Sequence, residues 1–254
     1  MGIEIKAVNK YFKRDGKEFQ VLDDINLEVQ DGEFISIVGA SGCGKSTLLR
    51  AIAGLDPEHE GSICINGEEI TKPGRERGMV FQEHRLFPWM NVEDNIAYVL
   101  EGKNKEEKAK IVREHIKLVG LSGFEKALPK QLSGGMAQRA GIARALANDP
   151  NVLLLDEPFG ALDAFTKISL QNEIRRIHKT EKKTMILVTH DIDEAVFLAD
   201  RIVVLSQRPG KIQNIIPVEL SEPRDRNSEE FLKIRKKVYR EFFEYKEVEP
   251  DYII

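Results

Sequence analysis

Gly39-Ala40-Ser41-Gly42-Cys43-Gly44-Lys45-Ser46-Thr47 follows the spacing G-x-x-x-x-G-K-[ST]. Glycine at positions 39, 42 and 44 frees the backbone to take turn conformations and to approach a bound anion closely. Consecutive N–H groups then face that anion together with the start of a helix, an arrangement suited to a triphosphate. Lys45 extends to the β- and γ-phosphates, and the Ser46 hydroxyl ligates Mg²⁺. A chance match in a glycine-rich turn would lack the right flanks. Here the apolar run Phe34-Ile-Ser-Ile-Val38 precedes the loop and the helix-forming Ser46-Thr-Leu-Leu-Arg-Ala-Ile-Ala53 follows it, giving the order strand, loop, helix.

Binding a nucleotide is not hydrolysing it, which needs a further set of groups. Asp156 and Glu157 follow the short apolar stretch Val152-Leu-Leu-Leu155, so a buried strand delivers two adjacent carboxylates to the carboxyl edge of a parallel sheet, the usual ligand edge. Strand alternation is expected to aim them differently. Asp156 holds Mg²⁺ through water in this reading, and Glu157 polarises an attacking water as general base. Cys43 lies among the phosphate-binding amides near Lys45, an environment that lowers a thiol pKa. Its alkylation is therefore expected to be slowed by ATP.

The elements that must position these residues are legible from periodicity. Up to about Gln30 the chain reads as strands, with Ile25, Leu27 and Val29 alternating with polar neighbours before a turn at Asp31-Gly32. Ser62-Ile-Cys-Ile65 runs into Asn66-Gly67, a two-residue hairpin signal. These pieces predict an antiparallel sheet beside the phosphate-loop core. From about Asn91 to Ala147 the pattern is helical: Asn91-Val-Glu-Asp94 can cap one start, and Ile111, Val112, His115, Ile116 and Val119 form a stripe ending at Gly120. After Asn148-Asp-Pro150 come three strand-like runs, Val152–Leu155, Thr184–Thr189 and Arg201–Leu205, with helical segments before the last two. Such alternation implies a parallel sheet. Near the end, Phe231, Ile234, Val238 and Phe242 form a helical stripe that packs on the core, with Asn227 and Glu230 as candidate caps.

Composition narrows the class further. With 254 residues, the chain is long enough to bury a core with attached subdomains, and 41% hydrophobic with 31% charged residues describes an ordinary globular protein. The 38 basic and 42 acidic residues give a net charge of −4, which argues against a nucleic-acid-wrapping surface. Two cysteines, Cys43 and Cys64, make no disulfide framework and fit a reduced, cytoplasmic setting. No run approaches the ~18 apolar residues of a membrane span, so any membrane is crossed by another chain.

Leu132-Ser-Gly-Gly-Met-Ala-Gln-Arg139 resembles the signature sequence of ATP-binding cassette (ABC) ATPases, and it precedes the Asp156-Glu157 strand as in that family. Ser133 is a good N-cap, and Gly134 and Gly135 open a helix whose N–H groups can receive a second anion. The resemblance implies that this anion is the γ-phosphate held by the phosphate loop of another copy, so that ATP is sandwiched between two chains. It also implies an α/β fold: a phosphate-loop NTPase core with a mainly parallel sheet, an N-terminal antiparallel β subdomain and an inserted α-helical subdomain. The expected division is 1–90 and 151–220 for the nucleotide-binding core with its β subdomain, 91–150 for the helical signature subdomain, and 221–254 for a C-terminal helical extension.

Further residues fit the same family. Phe12 matches the aromatic that stacks on adenine, with Tyr11 as its neighbour, although either also suits a strand aromatic packed inward. Gln82 matches the glutamine that senses Mg²⁺ and connects to the membrane subunit. Gly160-Ala-Leu-Asp163 resembles the loop that contacts the opposite copy, and His190 matches the histidine that contacts the γ-phosphate. Met136 stands where glutamine is common elsewhere in the family, which removes a polar nucleotide contact there.

Segments Phe81-Gln-Glu-His-Arg-Leu-Phe-Pro-Trp89, Phe159–Phe165, Thr189–Asp200 and Leu205–Ile212 are similar to the ATPases of nitrate, sulfonate, taurine and bicarbonate importers. The resemblance implies ATP and Mg²⁺ as cofactors and a place on the cytoplasmic face of the membrane. The implied partners are a second copy, transmembrane permease subunits and, indirectly, a solute-binding protein. The apolar segment Gln82–Trp89 then borders the groove that receives a permease helix, the alternative being burial within the helical subdomain. A soluble ABC ATPase is the rival reading; those proteins usually carry two cassettes or a long inserted coiled coil, and this chain has neither. A regulatory nucleotide-binding module would be expected to lack Glu157 or His190.

Overall fold

The structure, a computed structural model, describes residues 2–14 and 16–243. Two sheets organise it. Strands β1 (Ile3–Arg14) and β2 (Lys17–Val29) form a long antiparallel hairpin. With β4 (Glu60–Ile65) and the two-residue β5 (Glu68–Glu69) they build a four-stranded sheet in the order β2-β1-β4-β5. The β4–β5 turn is Asn66-Gly67, both at positive φ (51° and 81°), the two-residue hairpin geometry that Asn-Gly favours.

The second sheet has six strands in the order β10-β9-β3-β8-β7-β6. These are β3 (Phe34–Gly39), β6 (Arg77–Val80), β7 (Val152–Asp156), β8 (Thr184–Val188), β9 (Arg201–Leu205) and β10 (Ile212–Pro217). All pair in parallel except β10, which runs antiparallel to β9 at the edge. The central strands read as unbroken apolar runs because both faces of the sheet are covered. Leu153, Leu155, Met185, Leu187, Ile202 and Val204 pack on one side with the helices α2 (Val92–Ala97), α3 (Lys105–Leu118), α4 (Gly134–Ala147), α5 (Ala164–Glu181), α6 (Ile192–Leu198) and α7 (Glu229–Phe243). Val152, Leu154, Ile186, Val188, Val203 and Leu205 pack on the other with α1 (Lys45–Ile52) and the antiparallel sheet. Each such side chain removed from water stabilises the fold by ~1.5–3 kcal/mol before entropy is counted.

Several local expectations hold. Asn91 caps α2 by accepting the Asp94 N–H at 2.8 Å, and α3 ends before Gly120 at φ 66°. The start of α7 differs: Ser228, not Asn227, accepts the Phe231 N–H, at 3.2 Å. Its shorter hydroxyl sits three residues before the donor, which is the N-cap spacing. Asn227 instead directs its own N–H to Asp225. Phe231 and Val238 of the expected stripe are buried. The side chain of Phe242, and residues 244–254 of the expected extension, lie outside the described residues. The edge strand β10 has no counterpart among the sequence expectations, since Ile212-Gln-Asn-Ile-Ile-Pro217 neither alternates cleanly nor forms a continuous apolar run.

Candidate functional site

Four parallel strands deliver the candidate residues to one edge. The phosphate loop leaves the end of β3, Asp156 ends β7, His190 follows β8, and Gln82 lies two residues beyond β6. Adjacent parallel strands bring their carboxyl ends together, so residues far apart in sequence meet there.

The phosphate loop is shaped by its glycines. Gly44 sits at φ 108°, and a Cβ there would come within 2.7 Å of Leu22 and 3.1 Å of Val21. Helix α1 begins directly after it at Lys45. Lys45 is buried, and its ammonium donates to the carbonyls of Gly39 (2.9 Å) and Ala40 (3.0 Å). The Ser46 hydroxyl donates to Asp156 Oδ1 at 2.7 Å. Burial pushes the Asp156 carboxyl above its ordinary value, while the Ser46 hydrogen bond and the Arg50 and Lys45 charges pull it down. A hydroxyl and a carboxylate this close, with Gln82 lining the same cleft as Ser46, supply oxygen donors suited to a hard cation such as Mg²⁺.

Glu157 is reached by a backbone device rather than by simple alternation. Asp156 completes β7, but Glu157 takes φ 45°, in the left-handed region unusual for a side chain of this kind. Its N–H is fixed to the Val188 carbonyl at 2.9 Å. The expectation that strand alternation alone separates the two carboxylates is thus corrected: the chain turns sharply at Glu157. Its carboxylate then meets two other candidates at one atom. Gln82 Nε2 donates to Oε2 at 3.2 Å, and His190 Nδ1 lies 3.3 Å from the same oxygen.

These groups line a cleft of about 550 Å³ together with Phe12, Ser41, Gly42, Gly44 and Thr47. Of the two aromatic candidates, Phe12 borders this cleft and, with Tyr11, a neighbouring groove, whereas Tyr11 borders only that groove. Phe19, Val21 and Arg208 also line the cleft and were not singled out from the sequence. Cross-strand pairing sets Phe19 opposite Phe12, with ring centres 6.2 Å apart, and the Arg208 guanidinium lies 5.1 Å from the Phe19 ring centre. A signal for the pair existed, two aromatics flanking the Arg14–Lys17 turn. Arg208 carried no signal without the fold.

The Cys43 expectation fails. Its thiol is only 1% exposed and belongs to the core beneath the loop, with Sγ where a Cβ on Gly39 would meet it. Cys43 does not line the cleft, so ATP has no accessible thiol to protect.

Ser133, Gly134 and Gly135 lie outside this cleft. Ser133 caps α4 by accepting the Met136 N–H at 3.2 Å. A Cβ on Gly135 would meet the Ala161 carbonyl at 3.1 Å, so the helix start packs on the Gly160–Asp163 loop. Asp163 caps α5 through the Thr166 N–H at 3.0 Å, which holds its carboxyl below the ordinary value. Met136 is half-buried against the helical core.

A profile of the ABC transporter family matches residues 22–160. Over 242 residues, 95% of this chain and 96% of the relative, the sequence is 56% identical to the aliphatic sulfonates import ATP-binding protein SsuB of Bacillus cereus (strain ZK / E33L). The chain belongs to the ABC transporter family. SsuB of Bacillus subtilis (strain 168) is 51% identical over 98% of this chain and 97% of its own length. Among solved structures, the dimeric post-hydrolysis state of the ATP-binding cassette MJ0796 bound to ADP and Pi superposes with a TM-score of 0.79 at 32% identity, covering 85% of this chain and 99% of that one. This ABC protein is an ATP-hydrolysing importer subunit with the ABC ATPase fold. The MJ0796 cassette is dimeric in that structure. Among the described residues no helix is long and apolar enough to cross a membrane.

Proposed function

We propose that this ABC ATPase energises uptake of an aliphatic sulfonate or a similar small anion from the cytoplasmic face of the membrane, with a solute-binding protein delivering the solute to the permease. The names of the relatives support the solute class. The proposed division is 1–90 and 151–220 as nucleotide-binding core, 91–150 as signature subdomain and 221–254 as C-terminal extension. Mutual packing of α2, α3 and α4 supports the middle unit.

The convergence of Gln82 and His190 on one oxygen of Glu157, at the mouth of the phosphate-loop cleft, carries the catalytic reading. Phe12 stacks on adenine. The amides of Gly39 to Thr47 and the Lys45 ammonium hold the phosphates, Lys45 exchanging loop carbonyls for phosphate oxygens. Ser46, Asp156 (through water) and Gln82 hold Mg²⁺. Bound there, the ion offsets negative charge on the β- and γ-phosphates. Glu157 accepts a proton from water as the water oxygen bonds to the γ-phosphorus and the bridging oxygen leaves with ADP. Gln82 and His190 hold the carboxylate in line, and His190 faces the γ-phosphate. Ser133, Gly134 and Gly135 of the second copy close the site. Asp163 sits at the junction beside Phe165, an aromatic 87% exposed, as expected of a residue covered by a partner.

The variant Glu157→Gln tests this. It should bind ATP normally, lose hydrolysis by about 10²–10⁴-fold as general bases do, and persist as an ATP-bound dimer in size-exclusion chromatography. Near-normal turnover would remove Glu157 from its role. For the solute, deletion of the gene should abolish growth on an alkanesulfonate as sole sulfur source while sparing growth on sulfate. Unimpaired growth on both refutes the solute class.

A further inference from the structure

We infer that Lys167 and Glu194 are positioning residues for hydrolysis, locking the Thr189–Asp191 turn, and with it His190, to the helix that starts at the Gly160–Asp163 loop. The inference rests on the proposed role of His190 and adds the machinery that holds it.

His190 has a largely exposed ring whose described contact is with Glu157, so its place is set chiefly by its backbone. Both neighbours of His190 are tied into one network. Thr189 is buried, and its hydroxyl donates to Glu194 Oε2 at 2.6 Å while accepting the Asp191 N–H at 3.0 Å. Asp191 caps α6, with Oδ1 accepting the Glu194 N–H at 3.2 Å. Lys167 joins the two acids, its ammonium 2.7 Å from Asp191 Oδ2 and 2.6 Å from Glu194 Oε1. Each oxygen of these two carboxylates therefore has a partner, and the turn carrying His190 is held on both sides.

Lys167 comes from a different element. It stands one turn into α5, and its own N–H donates to the Asp163 carbonyl at 2.8 Å. The same helical turn is thus capped by the loop proposed to face the second copy and bonded to the turn that presents His190. The charges explain why a lysine is needed. Burial alone pulls the Lys167 ammonium down, yet the hydrogen bonds to Asp191 and Glu194 outweigh it and leave it above its ordinary value. Burial keeps the Glu194 carboxyl above its own, despite Lys167 and Thr189. Without the ammonium, two largely covered carboxylates would face each other unpaired, which costs more than a surface ion pair returns. The turn would then shift, and misplacement by 1 Å at a catalytic group is felt strongly.

The test compares kcat and KM for ATP hydrolysis by the full chain carrying Lys167→Met, Lys167→Arg, His190→Ala, or Lys167→Met with His190→Ala. A positioning role predicts that Lys167→Met lowers kcat by about 10- to 100-fold with KM within about twofold, by the cost of misplacing a catalytic group. Lys167→Arg should recover activity to within about threefold, since it retains both hydrogen bonds. In the His190→Ala background, Lys167→Met should cost less than about twofold, because residues acting through one another are not additive. Equal fractional losses in both backgrounds would overturn the inference while leaving His190 catalytic. Wild-type kcat in His190→Ala would overturn the catalytic reading itself, and with it this one. If Lys167→Met does not stay folded at the assay temperature, Glu194→Gln, which keeps the side-chain shape, carries the same comparison under the same criteria.

Discussion

Trp89 is 72% exposed, yet its backbone is tightly held, a combination that makes Trp89→Ala informative. The fully buried Asn95 accepts the Phe87 N–H at 2.8 Å and donates to the carbonyls of Met90 (2.9 Å) and Asn91 (3.0 Å). The loop therefore keeps its course without the indole. Phe87 packs against Trp89 at 5.6 Å and Tyr98 at 4.7 Å between ring centres, leaving an aromatic surface facing outward. Of the ~250 Å² a tryptophan can bury, little more than a quarter is covered, roughly 70 Å². At ~25 cal/mol per Å² the truncation should cost below about 2 kcal/mol of stability. A core tryptophan would cost ~3–5 kcal/mol. Partner binding tells the opposite story, because an aromatic anchor at an interface is worth about 2 kcal/mol or more, ~30-fold in affinity. Urea unfolding, ATPase activity of the chain alone, and transport with the permease in proteoliposomes should therefore separate. Stability and basal turnover stay near wild type, and transport falls by about tenfold or more. A stability loss of ~3 kcal/mol with turnover and transport falling together would refute the reasoning and return the ring to the helical core.

Gly44→Ala forces a Cβ to φ 108° within 2.7 Å of the buried Leu22. Backbone strain and overpacking together should cost about 2–5 kcal/mol and weaken ATP binding; a loss below ~0.5 kcal/mol by urea unfolding would mean that the loop has room. His178 bears on pH. Its Nε2 donates to the Gly32 carbonyl at 2.9 Å, and burial holds its pKa below the ordinary 6.5 despite Asp200. The unfolded chain binds this proton first as pH falls through about 6.5, so stability drops from there toward the depressed folded value. The urea midpoint should fall less between pH 7.5 and 5.5 in His178→Gln than in wild type, and equal falls would exclude His178 as the source.

The residues whose chemistry depends on sequence neighbours were readable directly. The phosphate loop needs its glycines, lysine and serine in one turn, so Gly39 to Thr47 announced itself, and the Ser133 cap follows a rule of three-residue range. Residues whose role depends on strand pairing were legible only through family resemblance, as with Gln82 and His190, or not at all. Arg208 is 52 residues beyond Asp156, the end of β7, and reaches the cleft because Gly210 pairs with Leu22, with its N–H on the Val21 carbonyl at 2.9 Å. Cys43 was misread for a related reason. Its sequence neighbours are phosphate-binding, but a tight loop turns alternate side chains inward, and only the fold reveals which. Lys167 carries no signal in the sequence, because its partners Asp191 and Glu194 reach it only when α5 and α6 lie side by side.

The signature and the Phe81–Trp89 segment proposed to face the permease are hung on one helix, and this bears on how half a site can work. Gln138 of α4 donates to the Phe81 carbonyl at 2.9 Å, one residue before Gln82, and Arg144 of α4 lies 5.7 Å from the Phe87 ring centre. One turn before Gln138, α4 starts after its cap Ser133 and packs through Gly135 on Ala161. A displacement of the Phe81–Trp89 segment therefore cannot leave the signature unmoved unless α4 bends, and an α-helix with its hydrogen bonds intact resists sharp bending. On the proposed reading, a permease pressing on Trp89 shifts the groups that complete the second copy's site, while Lys167 carries the position of the dimer loop to His190 in its own. Signal and chemistry then share two rigid helices, with the start of α4 touching the loop that leads into α5 at the Gly135–Ala161 contact. Separating them there, with a Gly135 side chain that pushes the loop away, should impair the partner copy's turnover more than its own nucleotide binding.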